Sequence, residues 1–171
     1  MFGMVIALLT FPGVIVHEMA HLLCCRLFGV RVHKVCYFRI GNPAGYVLHD
    51  VPDSAWQYLL IGIGPFFLNS FLGVLICAPV TLHPQQIFEP WQFLLITWLG
   101  ISVAMHAFPS SGDARAIWQV AWRRATPWTA KLICTPIVAL IYLLALGSMF
   151  WLDLVYAVLI TSFVPRWVLN W

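Results

Sequence analysis

Two histidines and one glutamate near the start of the chain have the types and spacing of a zinc-dependent hydrolytic site. His17 and His21 are four residues apart, so on a helix they face the same side and can bind one zinc ion together. Glu18 follows the first histidine, where its carboxylate can take a proton from a water molecule at the metal. The pattern therefore predicts hydrolysis. The alternative is a chance match with both histidines packed as polar groups, which is costly inside an apolar helix.

A catalytic zinc usually has three protein ligands and one open position, so a third ligand is expected elsewhere in the chain. Asp113 is the first candidate, because it follows an apolar segment that ends near Pro109. Its alternative role is the N-cap of a short helix over residues 114–125. His106 is the second candidate ligand, since it lies about one turn inside the same apolar segment. A neutral histidine that is hydrogen-bonded between helices is the alternative for that residue.

The composition indicates an integral membrane protein around these residues. The 171-residue chain is 62% hydrophobic and 9% charged, with a mean hydropathy of +0.90. A soluble globular protein has roughly a quarter of its residues charged and is excluded. The length leaves room for about five spans of roughly 20 residues and little else. We therefore expect one membrane-embedded domain over residues 1–171, with the hydrolytic core in residues 10–115.

The apolar segments predict an all-α polytopic fold with about five transmembrane helices. Pro12-Gly13 should bend or restart the first span just before the histidines. Alternating side chains followed by Gly/Pro/Asn residues predict a small β-hairpin between the first and second helices. A short helix in the membrane interface is expected after the third span. The predicted spans cover residues 2–28, 54–81, 91–109 and two segments of 128–171 that divide near 147–153.

The distribution of lysine and arginine predicts how the chain crosses the membrane. Basic residues follow the first, third and fifth predicted spans, and none lies between the second and third. By the positive-inside rule, the N-terminus is expected outside and the C-terminus in the cytoplasm of a bacterial-type cytoplasmic membrane. Since topology accounts for the net charge of +3, no nucleic-acid partner is expected.

Several of these features occur together in a known family. They are His17-Glu18-Met19-Ala20-His21, a hairpin with Gly41 and Gly45, Gly64-Pro65 with Asn69, and Pro109 with Asp113. In this combination, residues 10–115 resemble the site-2 protease family of intramembrane zinc metalloproteases. The resemblance implies that His17, His21 and Asp113 bind zinc and that Glu18 activates water. It also implies that the hairpin is a membrane-associated sheet to which an unwound substrate adds a strand.

We therefore expect an intramembrane zinc metalloprotease that cleaves a peptide bond in or near a substrate transmembrane segment. His106 or Asn69 is expected to act in catalysis as a hydrogen-bond donor to the oxyanion. The expected partners are a membrane-protein or membrane-peptide substrate and the lipid bilayer. A regulatory membrane partner is also expected, because the chain has no room for a soluble sensor domain.

Two other functions remain open. The first is a non-proteolytic zinc-binding subunit that binds a partner's transmembrane segment. It is motivated by the interval from Pro109 to Asp113, which is one residue shorter than is usual in the resembling family. The second is a small transporter or channel in which His17, Glu18, His21 and His106 form an ion path. Zinc binding distinguishes the transporter from the other two functions, and cleavage distinguishes the protease from the subunit.

Overall fold

A computed structural model describes residues 2–83 and 88–169, which form a mainly helical structure with one two-stranded sheet. This confirms the expected helical class and the hairpin between the first and second spans. The helices are α1 (Phe2–Leu9), α2 (Phe11–Leu27), α3 (Ala55–Leu82), α4 (Pro90–Met105), α5 (Ser111–Ala121), α6 (Trp128–Gly147) and α7 (Leu152–Leu169). The strands are β1 (Val32–Cys36) and β2 (Tyr46–His49), and a 3₁₀ turn, Ser148–Phe150, joins α6 to α7.

The expectation of five membrane spans was too high for the described residues. Two helical segments are long and apolar enough to cross a membrane, α3 and Trp128–Phe150, and α1 with α2 makes a third if the bent pair is one span. Helix α4 has 16 residues, or about 24 Å at 1.5 Å per residue, which is short of the ~30 Å hydrocarbon layer. Helix α7 has 18 residues and includes Asp153 and Arg166. Two residues of the last predicted span, 170 and 171, lie outside the described part.

A sharp bend separates the first two helices and sets the direction of the candidate site. Helices α1 and α2 meet at 88°, and the hydroxyl of Thr10 at the bend donates to the Ile6 carbonyl at 2.7 Å. Pro12 lies in the first turn of α2, where its missing N–H is tolerated. The bend therefore falls two residues before the predicted position, and α2 begins as a new helix that carries His17 and His21.

Helices α2, α3 and α4 are held together around a buried amide. Asn69 of α3 is 0% exposed, and its side-chain nitrogen donates to the Gly13 carbonyl at 3.2 Å and to the Val103 carbonyl at 3.1 Å. Gly13 packs so closely on the Ser102 carbonyl that a Cβ would not fit. This contact fixes the first turn of α2 against α4.

The hairpin returns over α2 after a nine-residue connection. Strands β1 and β2 are antiparallel, with Cys36 opposite Tyr46 and an irregularity near the open end. The side chains of Lys34 and Arg39 lie over the Tyr46 ring, at 5.9 Å and 5.0 Å from its centre, as cation–π contacts do. The connection ends at Gly45, which is buried against α2.

Helix α5 is fixed by an apolar core that it shares with α3 and α6. Leu59 of α3, Ile117 of α5, and Cys134 and Val138 of α6 belong to this cluster, and each is less than 5% exposed. Burial of such side chains contributes on the order of 1.5–3 kcal/mol each to folding. The core therefore holds the first turn of α5, which begins at Ser111, at a fixed height beside α2.

Candidate metal centre

The two histidines of α2 direct one ring nitrogen each toward a common point. His17 Nδ1 donates to the His106 carbonyl at 2.7 Å, and His21 Nδ1 donates to the Ile61 carbonyl at 2.9 Å. A carbonyl can only accept, so in the neutral rings the hydrogen is on Nδ1 and Nε2 carries a free lone pair. The two Nε2 atoms are 3.2 Å apart. Backbone carbonyls from α3 and the end of α4 thus orient both rings as in protein zinc sites.

Asp113 approaches the same point from the first turn of α5. Its Oδ1 atom is 3.5 Å from His21 Nε2, while Oδ2 accepts hydrogen bonds from the Ser110 backbone N–H at 2.8 Å and hydroxyl at 2.7 Å. The Ser110 hydroxyl oxygen in turn accepts from the Asp113 N–H, which completes a capping box. Ser110 is therefore the N-cap, and the Asp113 carboxylate serves both the helix start and the histidine pair.

The charge environment keeps this carboxylate ionised. Burial acts to raise the pKa of Asp113, but His21, His17 and the two hydrogen bonds from Ser110 outweigh burial and lower the pKa below the usual value for an aspartate. An ionised carboxylate is the form that binds a metal ion.

The three side chains fit a zinc ion. Candidate ligand atoms of His17, His21 and Asp113 all lie within 4.8 Å of one another. Zinc with tetrahedral bonds of 2.0–2.1 Å holds its ligands about 3.3 Å apart, close to the separations of 3.2 Å and 3.5 Å that His21 Nε2 makes with its two neighbours. Two lone pairs and a carboxylate oxygen also repel one another unless a cation lies between them. The chemistry of the donor set therefore matches zinc, with a fourth position left for water or substrate.

Glu18 lies next to this donor set in a cavity of about 540 Å³. Its side chain is 8% exposed and makes no hydrogen bond or ion pair with residues 2–83 or 88–169. The cavity is lined by the candidate ligands, by the end of the hairpin connection with the start of β2, and by the segment that joins α4 to α5. A carboxylate beside the metal position and facing open space can exchange a proton with a water molecule there.

A comparison with protein-family models places the chain in a family. The model described as "Putative zincin peptidase" matches residues 10–126, which include His17, Glu18, His21 and Asp113. The chain belongs to this zincin peptidase family. Zinc is the cofactor that membership implies. Neither the curated proteins nor the solved structures yielded a match.

His106 and Asn69 differ in their relation to the zincin site. His106 lines the cavity, but its contact with the candidate ligands is through its backbone carbonyl. Its Nδ1 donates to the Ser102 carbonyl at 3.0 Å, so Nε2 of the neutral ring is an acceptor rather than a donor to an oxyanion. Asn69 lies outside the cavity lining, and both hydrogens of its amide are used by α2 and α4. Its position favours a structural role over oxyanion binding.

Three contributors to the zincin site were not anticipated from the sequence. Ser110 could have been found, because Ser-x-x-Asp before a helical segment is a variant of the capping-box pattern. The carbonyls of Ile61 and His106 have no sequence signal, since every residue has one. Gly45 was noted only as part of the hairpin. Its contact with Glu18 depends on how the connection folds back over α2.

Substitution of Gly45 tests this contact. A Cβ at position 45 would lie 2.5 Å from Glu18 Cγ and 2.8 Å from Oε1, so Gly45→Ala must displace the carboxylate. We expect kcat for peptide hydrolysis to fall about 100-fold, as for a misplacement of about 1 Å, with zinc content unchanged. Gly41→Ala is the matched control, because its Cβ would meet only Arg39 Nε at an ordinary 3.7 Å. Equal activity of the two variants would contradict a close packing of Gly45 on Glu18.

Proposed function

We propose that the protein is an intramembrane zinc metallopeptidase of the site-2 protease type, which hydrolyses a peptide bond in or near a transmembrane segment of a membrane protein. The observation that carries the proposal is the convergence of His17, His21 and Asp113 beside Glu18, on a helix that belongs to a bent apolar pair. Family membership supplies the peptidase activity and the zinc, and the apolar helices supply the membrane setting. We place the N-terminus outside and the C-terminus in the cytoplasm, according to the basic residues.

In this proposal the protein side chains orient the metal and move one proton. His17, His21 and Asp113 bind zinc, which when bound acidifies a water molecule and polarises the scissile carbonyl. Glu18 takes the proton from the attacking water and passes it to the leaving amine. Its low exposure and the absence of a hydrogen-bond partner leave its oxygens free for this exchange.

The substrate must be unwound before hydrolysis, because the amides of a helix are protected by their own hydrogen bonds. Tyr46 and Val47 at the start of β2 line the cavity, and the described sheet has only two strands. A substrate segment that adds to the free edge of β2 would run past Glu18 in an extended form. The hairpin then supplies the backbone hydrogen bonds that the substrate loses on unwinding.

Metal removal and restoration test the proposal. We expect the protein purified in lipid nanodiscs to hold one zinc ion per chain and to cleave some members of a set of fluorogenic single-span peptides. A chelator should abolish cleavage, because water and carbonyl lose their activation, and equimolar zinc should restore it. Zinc content is measured by atomic absorption, and cleavage by fluorescence and mass spectrometry. The control is a set of soluble peptides with the same central sequences but no apolar span.

Each contrary outcome of this experiment has a defined meaning. Stoichiometric zinc with no cleavage of any peptide would favour the non-proteolytic zinc-binding subunit. A protein that binds no zinc would contradict the metallopeptidase and the subunit alike. Preferential cleavage of the soluble peptides would retain the zincin activity and contradict the intramembrane substrate.

A further inference from the structure

The cavity that contains Glu18 is acidic, although the chain as a whole is basic. Three of the six acidic residues of the chain line it, namely Glu18, Asp113 and Asp153. All nine lysine and arginine residues belong to the described segments, and none of them lines the cavity. A bound zinc dication offsets the first two carboxylates, which leaves Asp153 without a counterpart.

Asp153 comes from a part of the chain that the family match does not cover. It is the second residue of α7, after Trp151, whose left-handed φ of 64° reverses the chain at the end of the 3₁₀ turn. The side chain is half-buried, and its Oδ1 accepts from the Leu154 N–H at 2.9 Å. Among residues 2–83 and 88–169, no lysine, arginine or histidine lies within ion-pair distance of it. The α6–α7 pair thus adds an unpaired carboxylate to a cavity shared with the metal centre.

A substrate cation is the counterpart that this carboxylate lacks. An ionised group in an apolar membrane setting is costly unless a partner compensates it. A second metal ion does not fill this role, because the described residues form no other group of three metal ligands. Glu18, which is more than nine-tenths buried and unpartnered, also faces the same space, so two carboxylates border the region where a substrate would lie. The volume of about 540 Å³ is within the usual range for ligand pockets.

We propose that Asp153 is a specificity-determining residue that binds a lysine or arginine side chain of the substrate close to the scissile bond. This inference rests on the proposed function, and it names the substrate class as membrane segments with a basic residue near the cleavage site. Lysine and arginine have long apolar stems and a terminal charge, so they can reach a carboxylate across an apolar cavity wall. A charge-assisted hydrogen bond to Asp153 would then fix the register of the substrate strand past Glu18.

Peptide affinity tests this assignment without requiring cleavage. The probes are single-span leucine/alanine peptides with one Lys, Met or Glu placed in turn at each of the last eight apolar positions. Dissociation constants for the zinc-loaded full chain in nanodiscs are measured by fluorescence. At the best position, we expect the Lys peptide to bind about 10- to 100-fold more tightly than the Met peptide, and the Glu peptide to bind most weakly.

Three variants identify the residue responsible for this preference. Asp153→Asn keeps the acceptor for Leu154 and should remove the difference between the Lys and Met peptides, while leaving affinity for the Met peptide within about twofold. Asp153→Glu should retain most of the preference. Asp53→Asn removes an exposed carboxylate and should leave it unchanged. If Asp153→Asn fails to fold, Asp153→Ser is the second charge-free variant.

The outcomes separate this inference from the proposed function. Equal binding of Lys and Met peptides by the unmodified protein would overturn it, and so would a loss of affinity for all peptides alike in Asp153→Asn. Absence of cleavage with the lysine preference intact would count against the peptidase and not against the role of Asp153.

Discussion

Replacing Glu18 with glutamine is expected to lower kcat for peptide cleavage by about 10²- to 10⁴-fold, the contribution typical of a positioned general acid–base. Glutamine has nearly the shape of glutamate, so it preserves the close packing against Gly45 while removing the ability to accept a proton. Bound zinc should stay at one ion per chain, because the candidate ligands are His17, His21 and Asp113. Loss of activity with full metal content would separate proton transfer from metal binding.

The measurement combines cleavage kinetics with metal analysis on the same reconstituted sample. Asp53→Asn serves as the matched control, since it removes an exposed carboxylate in the same way and should retain normal kcat. Full activity of Glu18→Gln would exclude Glu18 as the base and would redirect attention to other cavity residues. A parallel loss of zinc would instead indicate that the glutamate contributes to the ligand set.

Asp113→Ala is expected to weaken zinc binding by more than about 100-fold. The loss of an outer-shell partner already costs 10- to 100-fold in metal affinity, and removal of a direct ligand should cost more. The variant should also lose cleavage. His106→Ala is the informative comparison, because His17 is held by the backbone carbonyl of residue 106, which alanine retains. We therefore expect this second variant to keep its zinc.

Competition titrations with a fluorescent zinc chelator measure both affinities. The reverse result, in which Asp113→Ala keeps its zinc and His106→Ala loses it, would identify His106 as the third ligand. Ser110→Ala provides an intermediate case. It removes one of the two hydrogen bonds to Oδ2 without touching Oδ1, and a decrease of about 10-fold is expected.

The sequence predicted the local part of the site and only ranked the distant part. The His17–His21 pair depends on helical spacing alone, which is a property of five consecutive residues. Asp113 is 92 residues from His21, and composition and spacing could place it on the correct side of the membrane but not at 3.5 Å from a ring nitrogen. That distance is set by the packing of α5 between α3 and α6. The two carbonyls that orient the rings follow from the same packing and have no sequence signature.

Hydropathy located the apolar segments of the fold but not the ends of their helices. The third apolar segment extends to Pro109, yet α4 ends at Met105, and the residues between form part of the cavity wall. A window average cannot detect this change, because Ala107 and Phe108 are as apolar as the helix before them. The hairpin was predictable because its alternating side chains and its Gly, Pro and Asn residues are local features.

The shared carboxylate of Asp113 has a thermodynamic consequence. One oxygen stabilises the beginning of a helix and the other faces the imidazoles, so ion affinity and helix-start stability are linked reciprocally. Any force that frays that turn, including a change in the lipid around the exposed Trp118 and Trp122, would loosen the grip on the ion. Conversely, loading the ion would slow amide exchange along the whole turn. The protein thus has a means by which the surrounding bilayer could tune its own metal occupancy.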